Sequence, residues 1–130
     1  MNVKIADLMV KQVLTGTRHQ SVGHVRELMA EQKIHALPIV GVGGEVIGIV
    51  TSADLMGSHS AATPISKIMT DRVYTVPEYN DVHIAARVMR KHGIHHVVVT
   101  HEKRIVGVVS SFDLLKLVED RRFVMKNPPG

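Results

Sequence analysis

At 130 residues, 45% of them hydrophobic, the chain can bury a real core, as one compact domain or two intimately packed halves, and is too apolar for general disorder. The absence of cysteine excludes disulfides, thiolate metal sites and cysteine nucleophiles, and no apolar run approaches the roughly 18 residues that cross a bilayer. A formal net charge of +4 favours anionic partners, but two tyrosines and two phenylalanines are poor material for stacking successive bases, which argues against a nucleic-acid binder.

The opening Met1-Asn2-Val3-Lys4-Ile5-Ala6-Asp7 carries charges where a secretory signal needs an apolar stretch, so a soluble cytoplasmic protein is expected. Residues 4–9 read as a short helical or irregular lead-in, followed by a brief strand around Lys11–Thr15 and a polar turn from Gly16 to Gln20. Ser21 is a candidate N-cap for a helix over residues 22–32, with Val22, Val25, Leu28 and Met29 on one face. Two strands follow, Ala36–Val40 and Val46–Val50, joined by Gly41-Val42-Gly43-Gly44-Glu45. Both runs are almost continuously apolar, which implies strands covered on both faces. A short helix near Ser52–Gly57 closes the first half, and Pro64 opens the next.

The second half repeats the first. Ile5-Ala6-Asp7-Leu8-Met9 matches Ile65-Ser66-Lys67-Ile68-Met69 at an offset of 60, which also pairs Val13 with Val73, Met29 with Met89 and Ile34-His35 with Ile94-His95. Past the hairpin the offset is 59, because Gly41–Glu45 is one residue longer than His101-Glu102-Lys103-Arg104. A one-residue change confined to a turn is what a structural repeat tolerates. Asp81 is the second N-cap, before a helix 82–92 with Val82, Ala85, Val88 and Met89 as its stripe. Gly93 suits the left-handed position after that helix, and the equivalent Lys33 suits it less. Strands His96–Thr100 and Ile105–Val109 lead into a longer final helix reaching Phe123.

The chain thus divides into repeat 1 (3–57), a linker (58–63), repeat 2 (64–120) and a basic C-terminal tail (121–130) that frays at Asn127-Pro128-Pro129-Gly130. The expected fold class is α/β, an α+β sandwich of two pseudo-symmetric β-α-β-β-α repeats. Each half, at about 60 residues, is marginal for independent folding, so the two are expected to pack sheet to sheet.

The stretch Gly48-Ile49-Val50-Thr51-Ser52-Ala53-Asp54 recurs as Gly107-Val108-Val109-Ser110-Ser111-Phe112-Asp113. In each copy an apolar strand ends in a hydroxyl residue and a carboxylate follows three positions later. Hydroxyl, carboxylate and freed backbone N–H groups then converge at a helix entrance, a ready seat for phosphate or a sugar hydroxyl. The same spacing also fits a capping box, which needs no ligand.

Other residues carry weaker chemistry. His95 and His96 are adjacent on an extended segment, so their side chains point to opposite faces and do not share one ion. No H-x-x-x-H pair falls within a predicted helix, and no metal site is expected. His35 and His95 recur at one repeat position, open either to a ligand cleft or to a polar strand start. Met29 and Met89 read as core filler, and Arg121, Arg122 and Lys126 as a solvated helix end. Ser52 and Ser111 have no positioned histidine and acid in sequence context, so no catalytic constellation is visible and a non-enzymatic role is expected.

The duplicated order, with Ile5-x-Asp7-x-Met9, Ile65-x-x-Ile68-Met69-Thr70, Ile34-His35-Ala36-Leu37-Pro38-Ile39-Val40 and the closing G-h-h-T/S-x-x-D, resembles a tandem pair of CBS domains, named after cystathionine β-synthase. The resemblance covers residues 3–120. It implies a regulatory module that requires no cofactor and senses AMP, ADP, ATP or S-adenosylmethionine in the cleft between its repeats. Asp54 and Asp113 would take the ribose hydroxyls, with Thr51 and Ser110 on the phosphate side. A carboxylate offers two acceptors spaced for a cis-diol. One site would combine Ser110 and Asp113 with Val13, Leu14, Ile34, His35 and Ala36. The other would combine Thr51 and Asp54 with Thr70, Val73, Tyr74, His95 and His96. Tyr74 stands where the first site has Leu14, and Thr70 where it has Val10, so unequal affinities are expected. The resemblance also implies a homodimer through helices such as 22–32 and 82–92, and an unidentified effector protein as partner. The alternative is a ligand-free interaction or oligomerisation scaffold.

Overall fold

The computed structural model describes residues 3–11 and 13–120. In chain order the elements are α1 (Ile5–Leu8), β1 (Gly16–Thr17), α2 (Val22–Gln32), β2 (Ala36–Val40), β3 (Val46–Thr51), β4 (Thr75–Pro77), α3 (Val82–His92), β5 (His96–His101), β6 (Arg104–Ser110) and α4 (Ser111–Asp120). Single 3-10 turns occupy Asp54–Met56 and Ile65–Lys67. Two three-stranded sheets result, ordered β1-β2-β3 and β4-β5-β6. In each, the first strand runs parallel to the second and the second antiparallel to the third. Register shifts fall at equivalent places, between Ile39 and Val40 and between Val99 and Thr100. The expected α/β architecture and its duplication are both present.

Local chemistry explains most boundaries. Ser21 Oγ accepts the His24 backbone N–H at 3.1 Å and starts α2. Asp81 holds the equivalent position before α3 but makes no side-chain cap. Its carboxylate instead takes the Lys4 ammonium at 2.7 Å, a bond that holds the acid below its ordinary pKa. Both helices end in the left-handed region, at Lys33 (φ 55°) and Gly93 (φ 63°). Lys33 accepts that conformation with a Cβ in place, which costs about 1–2 kcal/mol. The second hairpin turns on Glu102 (φ 49°) and Lys103 (φ 68°), a two-residue turn of the type that glycine and asparagine prefer.

Two expected elements differ and one runs past the described residues. No strand forms over the described residues of Lys11–Thr15; pairing begins at Gly16–Thr17. A Cβ on Gly16 would lie 2.9 Å from Ile39 Cδ1, so the bare backbone sits flush on β2 from that point. Val13 and Leu14, just before it, line a cavity. The helix expected over Ser52–Gly57 is only the 3-10 turn Asp54–Met56, after which Gly57 continues extended. Leu55 packs against the core of the first half while Met56 is exposed, so a single side chain anchors the segment. The final helix is described from Ser111 to Asp120; the expected continuation to Phe123 and the tail 121–130 lie outside the described residues.

Leu37 and Ile39 pack with Val22, Val25, Met29 and Val50, while Val97, Val99 and Val109 pack with Val76, Ala85 and Met89. The intervening Pro38 and Val98 project from the opposite faces of their sheets and are also fully buried. Each sheet is therefore covered by helices on one face and by the other repeat on the second.

The two lead-ins are exchanged. Ile5 belongs to the core of the second half and Ile65 to that of the first. Val10 and Val108 trade backbone hydrogen bonds at 2.9 and 3.2 Å, and Ile49 and Thr70 do so at 2.9 Å each. A Cβ on Gly107 would lie 2.6 Å from Met9 Sδ, and one on Gly48 would run into Met69. These two glycines let the exchanged segments dock. Full burial of Ile5 and Ile65 contributes about 1.5–3 kcal/mol each.

Candidate functional site

The last residues of β3 and β6 turn the chain with the same device. Asp54 Oδ2 accepts the Thr51 backbone N–H at 2.8 Å and its hydroxyl at 3.2 Å. Asp113 Oδ2 accepts the Ser110 backbone N–H at 2.8 Å, and Ser110 Oγ accepts the Asp113 N–H at 3.1 Å. The second pair is a reciprocal capping box. Asp113 is only 7% exposed, and its Oδ1 takes no hydrogen bond from a described residue. Since no buried side-chain polar atom among the described residues lacks a partner, that oxygen is reachable from open space.

Asp113 lines a cavity of about 560 Å³ between the repeats. Ser110 and Asp113 line it together with Val13, Leu14, Ile34, His35 and Ala36, so all seven residues expected at one site meet there. Residues that were not anticipated join them, chiefly Lys33, Ser111 and Phe112. A second cavity of about 330 Å³ is lined by Thr51, Thr70, Val73, Tyr74, His95 and His96 as expected, but Asp54 is not part of its wall. Arg72 and Ser52 line it unforeseen. Both volumes fall within the roughly 300–1,000 Å³ of small-molecule sites.

His35, His95 and His96 line both cavities. His35 Nδ1 contacts Ser52 Oγ at 3.2 Å, and His95 Nδ1 contacts Ser111 Oγ at the same distance. The recurrence of a histidine at the strand start thus has a structural partner: the serine after each hydroxyl residue. Burial, and then the neighbouring His95 and His35, lower the His96 pKa below the ordinary imidazole value; Asp113 opposes them. Tyr74 is stacked on His92, with ring centroids 3.8 Å apart at 18°. Among the described residues no group of three potential ligands converges on a metal, and no helix is long and apolar enough to cross a membrane.

Lys33 and Arg72 carried no periodic or motif signal, being single cations beside a helix end and in a loop. Phe112 could have been found: it sits inside the second heptad, one position before the carboxylate.

The two repeats, their paired cavities and the duplicated T/S-x-x-D turns define a two-repeat module. The CBS domain family matches twice, over residues 5–60 and 65–120, and the chain belongs to that family. Among solved structures, the CBS domain pair of protein MJ0100 in complex with 5′-methylthioadenosine and S-adenosyl-L-methionine superposes with a TM-score of 0.87 at 29% identity, covering 94% of this chain and 100% of that one. The CBS domain of a membrane protein from Sphaerobacter thermophilus gives a TM-score of 0.80 at 29% identity, over 89% of this chain and 88% of the other. A homoserine O-acetyltransferase of Methanococcoides burtonii is 33% identical over 90% of this chain, which spans only 24% of that enzyme. The same holds for an uncharacterized 33.4 kDa protein of Thermofilum pendens, 33% identical over 88% of this chain and 43% of its own length. The chain thus spans less than half of these curated relatives.

Proposed function

We propose that this chain is a non-catalytic regulatory module that binds an adenosine-containing ligand between its repeats and signals occupancy to an effector protein, in the cytoplasm. The observation that carries the reading is Asp113: a nearly buried carboxylate with one oxygen committed to the helix start, in the wall of a 560 Å³ cavity. Its other oxygen and the adjacent Ser110 hydroxyl suit a ribose diol. The similarity to a CBS pair that binds 5′-methylthioadenosine and S-adenosyl-L-methionine supports the same ligand class. AMP, ADP and ATP remain members of that class. Ligand that bridges the repeats favours one relative arrangement of them, to the extent of its differential affinity. Homodimerisation through helices such as α2 and α3 belongs to the same proposal.

A scaffold that takes no ligand is the second reading, favoured by the capping bonds that occupy Oδ2 of both aspartates. Thermal shift separates the two. At 100 times its dissociation constant, a true ligand adds about 2.7 kcal/mol of stability; a scaffold shows no shift with 5′-methylthioadenosine, S-adenosylmethionine, AMP or ATP.

A further inference from the structure

The two cavities occupy equivalent places in the fold yet differ in charge. The first holds Lys33 and the carboxylate of Asp113. The second holds Arg72, while Gly93 stands where the first has Lys33, and Asp54 is bonded to Thr51 without lining the wall itself. The residues that line the second cavity thus include an arginine and no carboxylate. Its remaining polar groups include the hydroxyls of Thr51, Ser52 and Thr70, donors that suit oxyanions. Its volume is about 330 Å³ against 560 Å³.

We infer that the second cavity selects a phosphate-bearing ligand, with Arg72 as the residue that determines that preference, while the first takes the uncharged or cationic adenosine compounds. The guanidinium offers charge-assisted, two-pronged donation to a phosphate. The inference rests on the adenosine reading for the organic part of the ligand, and on the cavity itself for the anionic part.

Nuclear magnetic resonance distinguishes the two cavities through residues that each owns. Tyr74 and Thr70 report on the second, Val13 and Leu14 on the first. AMP and inorganic pyrophosphate should each shift Tyr74 and Thr70. Arg72→Gln should weaken both by about tenfold or more, as expected for loss of a charge-assisted bond, and Arg72→Lys should restore part of the loss. Arg72 is exposed, so neither variant disturbs the core. 5′-Methylthioadenosine should shift Val13 and Leu14 with the same affinity in both Arg72 variants. The inference is overturned if AMP and pyrophosphate leave Tyr74 unmoved, or bind Arg72→Gln as well as the unaltered chain. Failure of 5′-methylthioadenosine to move Val13 and Leu14 counts against the adenosine reading instead. Pyrophosphate binding at Tyr74 that is lost in Arg72→Gln still upholds this inference in that case.

Discussion

Repeat 1 and repeat 2 share a backbone and differ in what they place in the clefts. Strand pairing, register shift and the carboxylate-capped turn recur in both, because backbone hydrogen bonding tolerates any side chain that fits. The cleft positions have diverged: Leu14 against Tyr74, Ala36 against His96, Phe112 against Ala53. Asp113 opens a ten-residue helix and lines its cavity, while Asp54 opens a three-residue turn and does not. Duplication preserves the scaffold and leaves the two pockets chemically distinct.

The largest test breaks the exchange of lead-ins. Ile5→Ala and Ile65→Ala should each cost about 2–5 kcal/mol in denaturant unfolding. Amide exchange should then rise across Val97 and Val99 for Ile5→Ala and across Leu37 and Ile39 for Ile65→Ala. Loosening of each variant's own repeat instead would refute the exchanged arrangement. Smaller effects come from the helix ends, where Lys33→Gly should add about 1 kcal/mol and Gly93→Ala should remove a similar amount in thermal melts.

Acid provides a further contrast. A histidine whose folded pKa is lowered binds its proton more readily when unfolded, so its contribution to stability is intact above the ordinary value of 6.5 and is lost as pH falls below it. His96→Ala installs the residue that repeat 1 carries at Ala36, and should flatten that acid-side decline in melts taken from pH 7 to 5. An unchanged slope would mean that His96 is solvated. Glu102→Asn with Lys103→Gly should likewise raise stability, by about 1 kcal/mol, through a turn better suited to positive φ.

Helix α2 and the hairpin strands could be read from the sequence because apolar spacing, a serine cap and a glycine-rich turn all act locally. Seven residues that line the first cavity were named from the resemblance, while others such as Lys33, Ser111 and Phe112 were not. Exchange of the lead-ins was not legible, since two near-identical segments fit either half; the only trace was a methionine in each lead-in matched to a glycine in each third strand. Asp54 does not line the second cavity although its heptad is equivalent to that of Asp113, because the helix that would orient it is cut short by Gly57-Ser58. Arg72 went unseen because a lone loop cation leaves no pattern.

Calorimetric titration with 5′-methylthioadenosine, on the unaltered chain and on Asp113→Ala, tests the central claim most directly. One binding event that weakens by tenfold or more in Asp113→Ala, and persists in Asp54→Ala, is the predicted result. Equal affinity in Asp113→Ala, or no binding to the unaltered chain, would contradict it.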